Sequence, residues 1–507
     1  MARAKKKAKS EGTSLRDIER VSTGIAGLDE ITHGGLIPKR AYLVRGKPGT
    51  GKTTIGLHFL TAGVAKGERV LCIALAEPAE EIRQNAESVG IDLSGVEFLD
   101  LSPTAEHFTE DESYDVFSSA EVEREPVTRQ IVEAVEKLKP QRVFLDAITV
   151  FRYLAADAFQ FRKQILSFIR YLVDSGATVV YTSEGSPEAP DYDLEFMSDG
   201  VIVMDLEAVG RMNRRTIAVT KFRGSHTLSG RHGVRLTDKG VEVFPRLVPE
   251  QHEREFIPET VPSGVPELDE LLHGGIQRGT VTIITGPSGV GKTTLGLQFM
   301  KEAAGRGERS VIFTFEEHRS TLLFRSEAIN IPVKAMTDRG TLGVVQIEPI
   351  QFTPDEFANL VRHEVEDNDA KIVMIDSLSG YRLSLLGEDL VRQIHRLVKY
   401  LRNMGVTVIL VNEMEDIVGE EFKATDAGVS YLADCIVFIR YLEIEGELRK
   451  AIGVLKKRTG DFQKNLREYE ITKYGLRVGK PIRGLRGLLS GTPEWEHDGH
   501  HHRRETD

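Results

Sequence analysis

The chain has 507 residues, of which 40% are hydrophobic and 28% are charged, and its formal net charge is −11 at pH 7. This composition is typical of a soluble globular protein, and no run of about 18 apolar residues is present that could span a bilayer. The acidic balance argues against a protein whose main task is to wrap nucleic acid. With no signal peptide visible, we expect a cytoplasmic protein whose two cysteines are buried thiols.

Residues 1–14 are predicted to form a disordered basic tail. Residues 15–247 then alternate between apolar runs and amphipathic stretches, which predicts a parallel sheet covered by helices. The acidic segment 100–123 is predicted to be a loop. Strands are predicted at 69–75, 142–146 and 177–182, helices at 80–89, 126–139 and 161–174, and a terminal antiparallel strand pair at 200–205 and 215–220.

The polar segment 248–258, which contains two prolines, is predicted to link this domain to a second one over 259–485. Residues 486–507 form a charged tail, whose histidines at 500–502 could bind a metal or could simply be solvated. The second domain repeats the order of the first, with strands predicted at 310–315, 371–376, 406–412, 435–441 and 450–456, and helices at 321–329, 354–366 and 390–404.

Two stretches that lie 240 residues apart indicate a duplicated domain. Residues 46–53 and 286–293 both fit the pattern G-x-x-x-x-G-K-[ST], and each follows a β-branched run and precedes an amphipathic stretch. From Val21 to Phe59, 17 of 39 positions are identical to the residues 240 positions later. This period far exceeds the roughly 20–50 residues of solenoid repeats, so we expect two α/β domains of the same fold.

Both motifs are predicted to bind the phosphates of a nucleotide. The glycines let backbone N–H groups close around phosphate oxygens, the lysine supplies a mobile cation, and the threonine hydroxyl supplies a magnesium ligand. The alternative is a glycine-rich turn that binds no ligand. The residues concerned are Gly49, Thr50, Gly51, Lys52, Thr53 and Thr54 in the first motif, and Ser288, Gly289, Val290, Gly291, Lys292, Thr293 and Thr294 in the second.

Carboxylates at predicted strand ends are candidates for phosphoryl-transfer chemistry, which needs one group near magnesium and another to accept a proton. Asp146 and Asp376 should emerge at the sheet edge where the phosphate loops lie, unless they merely cap the following helices. Glu316 and Glu317 end another strand, as a general base with a supporting carboxylate or as a solvated strand end. The first domain has Ala76-Glu77 at that place.

A strand near the end of each domain finishes in cations, at Lys221-x-Arg223 and at Lys456-Lys457-Arg458. The local fold does not need these cations. They can be interpreted as fingers that neutralise γ-phosphate charge in a neighbouring subunit of a ring, or as a basic surface turn.

The tandem domains, both phosphate loops, the approach L-D-E-x-x-x-G-G and the paired cations together resemble the KaiC family of circadian clock ATPases, over about residues 15–495. The resemblance implies two RecA-like P-loop domains, an ATPase first (KaiC 1) and a serine/threonine autokinase and autophosphatase second (KaiC 2). It implies ATP and Mg²⁺ as cofactors, and a homohexamer of two stacked rings that acts as a signalling or circadian timing switch. KaiA-like and KaiB-like proteins are candidate partners, because residues 482–493 resemble the C-terminal segment that KaiA binds.

The resemblance also implies roles for single residues. Thr53 and Thr293 would ligate magnesium, and Glu316 would accept a proton and join the metal site. Ser430 would be the phosphoacceptor, with Thr425 as a lesser candidate. Nucleotide contacts are implied for Ser88 and Lys450 and, across subunit interfaces, for Lys221, Phe222, Arg223, Ser225, His226, Thr237 and Asp238 in one ring and for Lys456, Lys457 and Arg458 in the other.

Two positions depart from the family pattern. Ala76 stands where a glutamate is usual, so either Glu77 takes over as proton acceptor or hydrolysis in the first domain is weak. Tyr431 stands where a threonine is usual, and its phenol oxygen lies too far from the backbone for the same in-line geometry. We therefore expect Tyr431 to pack and Ser430 to accept the phosphate.

Two other functions remain open at this point. A RecA-type recombinase or a replicative helicase would couple the same loops to DNA, but the acidic charge and the lack of a basic, aromatic-rich segment argue against nucleic acid as a partner. A scaffold that binds ATP only in order to assemble would fit the presence of Ala76.

Overall fold

Two nine-stranded sheets, one in each half of the chain, organise the computed structural model. The chain divides between Arg246 and Leu247 into a first and a second unit. Both units are α/β with a mostly parallel sheet, as the sequence predicts. The structure describes residues 19–102, 124–153, 157–184, 191–209, 212–349, 352–385, 389–414, 428–444, 446–483, 485–486 and 494–495.

The first unit alternates strands with helices and then ends in strands alone. Its elements are α1 (Ala26–Ile31), β1 (Ala41–Gly46), α2 (Lys52–Val64), β2 (Val70–Ala74), α3 (Ala79–Ser88), β3 (Glu97–Asp100), α4 (Arg124–Leu138), β4 (Arg142–Asp146), α5 (Val150–Tyr153), α6 (Ala158–Asp174), β5 (Thr178–Ser183), α7 (Tyr192–Met197), β6 (Gly200–Val209), β7 (Met212–Phe222), β8 (His232–Thr237) and β9 (Gly240–Phe244). The strand order is β3-β2-β4-β5-β1-β6-β7-β8-β9. Pairing is parallel from β3 to β6 and antiparallel from β6 to β9.

The second unit repeats this topology. Its elements are β10 (Thr260–Val261), α8 (Pro266–Leu271), β11 (Ile276–Gln277), β12 (Val281–Gly286), α9 (Lys292–Gly305), β13 (Ser310–Thr314), α10 (Arg319–Glu327), α11 (Val333–Asp338), β14 (Leu342–Gln346), α12 (Pro354–Glu366), β15 (Ile372–Asp376), α13 (Leu378–Ser384), α14 (Leu390–Asn403), β16 (Thr407–Glu413), β17 (Cys435–Ile444), β18 (Glu447–Lys457), β19 (Arg467–Thr472), β20 (Gly475–Pro481), β21 (Leu485–Arg486) and β22 (Glu494–Trp495), with short 3₁₀ turns at Pro249–Gln251 and Ser430–Leu432. The large sheet has the order β14-β13-β15-β16-β12-β17-β18-β19-β20.

The antiparallel part of each sheet is larger than the sequence predicted. The antiparallel pair predicted in the first unit is confirmed as β6 and β7, but the prediction that it ends the sheet was wrong, because β8 and β9 extend the sheet beyond β7. These two strands are short and carry charged residues such as Arg235 and Glu242 at paired positions, so they lack the apolar run that identifies a strand in a sequence. Most of the predicted acidic loop, 103–123, lies outside the described residues.

The parallel strands are buried on both faces, as expected when helices cover a sheet. On β4, Val143, Phe144 and Leu145 all have 0% of their surface exposed, and on β15 Val373, Met374 and Ile375 are likewise fully buried. Truncation of Phe144 to alanine should cost about 3–5 kcal/mol of unfolding free energy, since the cavity could not collapse in such a layer.

The helix that follows each phosphate loop packs very close to the sheet. A Cβ atom added at Gly56 of α2 would lie 2.0 Å from the ring of Phe144, and one added at Gly296 of α9 would lie 2.2 Å from the sulfur of Met374. Both positions therefore require glycine, and this contact fixes the distance between each helix and the strand beside it.

The segment predicted as a linker, 248–258, belongs to the second unit and packs on α14 and its neighbours. Asn403 donates a hydrogen bond of 2.8 Å to the carbonyl of Pro249, Arg254 pairs with Asp369 at 2.8 Å, and His252 lies 2.9 Å from Glu366. Polar composition alone did not reveal these contacts, because the segment's polar side chains pair with charges on the unit's surface.

Both cysteines lie within buried strands. Cys72 on β2 is 0% exposed and Cys435 on β17 is 3% exposed. Burial raises the pKa of both thiols, that of Cys435 to about 12. Among the described residues, no helix has the length and apolar character needed to cross a membrane.

Candidate functional site

Each phosphate loop joins a buried strand to a helix of 13 or 14 residues, which it precedes directly. Gly51 and Gly291 precede these helices with φ of 101° and 108°, in the left-handed region that favours glycine. The free N–H groups of the first helical turn therefore face the loop, as in other anion sites. Lys52 donates to the carbonyl of Lys47 at 3.1 Å, and Lys292 donates to that of Pro287 at 2.8 Å.

A threonine and an aspartate meet beside each loop. The hydroxyl of Thr53 donates a hydrogen bond of 2.6 Å to Asp146, and that of Thr293 donates one of 2.6 Å to Asp376. Burial raises the pKa of both aspartates, that of Asp376 to about 6. Ser377, not Asp376, caps the following helix α13. A hydroxyl and a carboxylate in contact are hard oxygen ligands, so these residues fit Mg²⁺.

The second unit holds its glutamate pair in two different ways. Glu316 accepts a hydrogen bond of 2.7 Å from the hydroxyl of Ser377. Glu317 binds Arg325 through both carboxylate oxygens, at 2.5 and 2.7 Å, and Arg325 also donates to Thr294 at 3.3 Å. These side chains, together with Lys292, Thr293 and Asp376, line a cavity of about 490 Å³ that is large enough for a nucleotide.

The first unit lacks several of these groups. Ala76 takes the place of Glu316, and Ala147, which follows Asp146, takes the place of Ser377. Glu77 is therefore the glutamate that remains of the pair. Burial raises the pKa of its carboxyl, and the negative charges of Asp146, Glu81 and Glu184 raise it further.

Two further glutamates that were not predicted from the sequence face the phosphate-loop lysines. Glu184 follows β5 and lies 3.6 Å from the Lys52 ammonium. Glu413 ends β16, pairs in register with Gly286 and lines the cavity of the second unit. Burial lowers the pKa of Lys292, while Glu413 and Asp376 oppose that shift. The rule that identified Asp146 and Asp376, a carboxylate after a buried strand, would have found both if the predicted strands had been extended.

The paired cations lie far from the phosphate loop of their own unit. In the sheet, Val201 pairs with Leu43 on one side and with Lys221 on the other. Lys221 is therefore level with Leu43, which lies three positions before Gly46 and roughly 10 Å back along the strand. In the second unit, Ile436 pairs with Lys456 and with Ile283, three positions before Gly286.

Each cluster instead binds the carbonyls of a short helical turn. Lys221 donates to Glu195 and Phe196 at 2.7 and 3.0 Å, and Arg223 donates to Phe196 at 3.3 Å. In the second unit, Lys456 donates to the carbonyl of Ser430 at 3.2 Å, and Arg458 donates to that of Tyr431 at 3.1 Å.

The intervening residues point to the other side of these strands. Phe222 lies 5.6 Å from the ring of Tyr42, and Lys457 donates to the carbonyls of Leu272 and Gly275. Ser225 accepts a hydrogen bond of 2.8 Å from Arg20, and His226 lies 4.4 Å from the ring of His33. The structure therefore does not bring the side chains of Phe222 and Lys457 into the clusters.

Of the remaining predicted nucleotide contacts, Lys450 lies beside the phosphate loop of its own unit. Lys450 donates to the carbonyl of Gly289 at 3.3 Å. The turn at Thr237 and Asp238 approaches Gly90, which follows Ser88 and the end of α3. That Thr237 and Asp238 contact a nucleotide across a subunit interface stays a prediction.

The predicted phosphoacceptor Ser430 lies in the 3₁₀ turn Ser430–Leu432. Tyr431, which was expected to pack, is 49% exposed; its ring stacks on that of His395 with the centroids 6.2 Å apart, and its hydroxyl lies 3.3 Å from the same imidazole. Thr425 lies outside the described residues.

Comparisons with known proteins agree with this geometry. The family model "ATPase: KaiC" matches residues 21–248 and again 261–482. The chain is similar to the circadian clock protein KaiC3 of Synechocystis sp., with 29% identity over 94% of this chain and 95% of the relative. It is also similar to the circadian clock oscillator proteins KaiC of Synechococcus elongatus, with 29% identity over 97% and 95%, and of Rippkaea orientalis, with 30% identity over 96% and 93%.

Proposed function

The chain belongs to the KaiC family of ATPases, and on this premise we propose that it is an ATP-hydrolysing homohexamer whose second unit phosphorylates Ser430. The observation that carries the proposal is the position of Lys456 and Arg458. They bind the backbone at Ser430 and Tyr431 and lie roughly 10 Å or more from the loop of their own unit. This separation supports the proposal that the γ-phosphate that reaches Ser430 comes from another copy of the chain, as a ring of subunits would supply it.

Phosphate binding and metal binding follow from the loop residues. The N–H groups at the start of α9 and the Lys292 ammonium bind the β- and γ-phosphates. Thr293 and Asp376 would hold Mg²⁺, with Glu316 as a further candidate ligand, and the ion would neutralise phosphate charge. Thr53 and Asp146 are the matching pair in the first unit.

The phosphoryl transfer itself uses a serine hydroxyl and a carboxylate. The Ser430 oxygen forms a bond to the γ-phosphorus while the bond from that phosphorus to the bridging oxygen of ADP breaks. The hydroxyl proton passes to Glu316 of the neighbouring copy, which Ser377 holds toward the cavity. Lys456 and Arg458 offset the negative charge that develops on the phosphoryl oxygens. The reverse direction gives autophosphatase activity.

A role in timing or signalling follows from the relatives, whose names describe circadian clock proteins. A cycle of phosphate gain and loss at one serine is a two-state signal that a partner can recognise by its charge. KaiA-like and KaiB-like proteins are the candidate partners, and we propose a cytoplasmic location. Most of the segment 482–493 that resembles the KaiA-binding region lies outside the described residues.

The decisive experiment is incubation with γ-labelled ATP and Mg²⁺, followed by mass spectrometry of the labelled peptide. Ser430→Ala should remove most of the label, while Tyr431→Phe, at the adjacent and more exposed hydroxyl, should retain it. Label on Tyr431 alone, or no label between residues 425 and 434 while ATP is still hydrolysed, would contradict the assignment.

A further inference from the structure

The second glutamate of the pair has a different environment in the two units. In the second unit, Arg325 of α10 binds both oxygens of Glu317, an arrangement roughly twice as strong as a neutral hydrogen bond. A carboxylate that binds an arginine through both oxygens is fixed in one orientation, and turning it toward a reacting molecule would break a charge-assisted hydrogen bond. Glu317 is thus withdrawn from chemistry, although it lines the cavity.

Among the residues of the first unit that the structure describes, no arginine binds Glu77. Helix α3 carries the exposed Asn85 eight residues after Glu77, at the spacing that separates Arg325 from Glu317. Burial and the carboxylates of Asp146, Glu81 and Glu184 all raise the pKa of the Glu77 carboxyl. An asparagine side chain can neither neutralise a glutamate nor bind both of its oxygens with a fixed fork of donors.

The first glutamate of the pair, Glu316 in the second unit, has no counterpart in the first unit. The second unit has Glu316 and the serine that donates to it, Ser377. The first unit has Ala76 at the place of Glu316 and Ala147 at the place of Ser377, so it lacks both the base and the serine that donates to it. Each unit thus retains one glutamate that is free of an arginine clamp, Glu316 in the second and Glu77 in the first.

We propose that the residue at positions 85 and 325 decides which glutamate accepts the proton. Arg325 withdraws Glu317 and leaves Glu316 as the acceptor, whereas Asn85 leaves Glu77 as the acceptor in the first unit. There, a water oxygen forms a bond to the γ-phosphorus, the bond to the bridging oxygen of ADP breaks, and the water proton passes to Glu77. This inference rests on the proposed ATP hydrolysis and names the catalytic group of its first site.

The test in the first unit uses full-length chain with Lys292→Ala, so that phosphate release from ATP reports on the first unit. Glu77→Gln should lower this rate about 100-fold or more, the usual effect of removing a general base. Asn85→Arg should lower it at least about tenfold by clamping Glu77, while binding of a fluorescent ATP analogue stays the same. Asn85→Gln, which adds length without charge, is the matched control and should keep the rate.

The reciprocal test uses the Glu77→Gln chain, whose phosphate loops are both intact and in which the second unit supplies the remaining phosphate release. Glu316→Gln should remove most phosphate release, and adding Arg325→Asn should restore at least about a tenth of it through the released Glu317. A merely structural role for Arg325 predicts a further loss instead, which would overturn the inference. So would an unchanged rate for Glu77→Gln. If the Lys292→Ala chain binds the analogue but releases no phosphate, both the inference and the proposed hydrolysis in the first unit are wrong.

Discussion

The hydroxyl of Thr293 lies 2.6 Å from a carboxylate oxygen of Asp376, and Thr53 and Asp146 repeat this contact at the same distance. Each pair joins the first turn of a helix to the end of a neighbouring parallel strand. The two halves have diverged at Ala76, Ala147 and Asn85, yet this corner has the same geometry in both. The predictions below begin there.

Substitution of Asp376 by asparagine should raise the Mg²⁺ concentration that is needed for half-maximal activity. The hydroxyl of Thr293 would lose its charged acceptor, and changes of this kind around a metal typically cost 10–100-fold in metal affinity or activity. The measurement is phosphate release and Ser430 labelling as a function of Mg²⁺ concentration. The exposed Asp338→Asn is the charge-matched control, and an unchanged Mg²⁺ half-saturation for Asp376→Asn would count against a metal role.

Assembly should depend on ATP and on the paired cations. If Lys221 and Arg223 serve a neighbour's nucleotide, ligand binding closes the interface and stabilises the ring by mass action. Light scattering should therefore show hexamers with ATP and Mg²⁺ and smaller species without them. The double change Lys221→Ala and Arg223→Ala should shift the ATP sample toward monomers, whereas the exposed Lys66→Ala should not. A monomer under both conditions excludes the ring.

The two phosphate-loop lysines should have separable roles. Lys52→Ala should chiefly impair assembly or hydrolysis, and Lys292→Ala should remove self-phosphorylation, because Ser377 and Glu316 are present only beside Lys292. Scattering and labelling on the same two samples check this division. It fails if both variants lose label equally while assembly stays intact.

The first unit should be the more sensitive to acid. His58 accepts a hydrogen bond of 3.1 Å from the N–H of Val241, and His232 accepts one of 2.9 Å from that of Arg246, so both act as neutral rings. Burial lowers the pKa of each below 6.5, and protons therefore bind more readily to the unfolded chain. Their stabilising effect is complete above about pH 6.5 and is lost as pH falls from there toward the lower folded pKa.

The residue at the place of His58 in the second unit is Gln298, which supplies a matched variant. Hydrogen exchange, corrected for the intrinsic pH effect, should show β9 losing protection between pH 7.5 and 5.5. His58→Gln should reduce that loss, while β19 and β20 serve as the internal reference. Equal loss in the wild type and His58→Gln would show that another group controls the acid response.

Much of the fold was predictable because its signals are local. A β-branched run, a glycine loop and an amphipathic stretch are contiguous in the sequence, so the strands ending at Asp146 and Asp376 could be located in advance. Strands β8 and β9 were not, since they pair through short polar segments whose place at the sheet edge depends on tertiary contacts.

The candidate site was predictable only where a residue follows such a strand. Glu184 and Glu413 were missed because the predicted strands stopped one or two positions too early. The clamp between Arg325 and Glu317 spans eight residues across a strand end, a bend and a helix, and no simple periodicity relates such positions. Lys456 and Lys457 point to opposite sides of β18 because successive side chains alternate along a strand. This rule, applied to the sequence, would have predicted that the two lysines have different partners.

The burial of Cys72 and Cys435 has a practical consequence for studying subunit exchange. These are the only cysteines in the chain, and both are at most 3% exposed with their thiols held protonated, so maleimide reagents should leave them unmodified. A cysteine introduced in place of the exposed Lys66 would then be the single labelling site in an otherwise wild-type background. Mixing donor-labelled and acceptor-labelled chains would turn the exchange of copies between assemblies into a fluorescence signal that can be followed in real time.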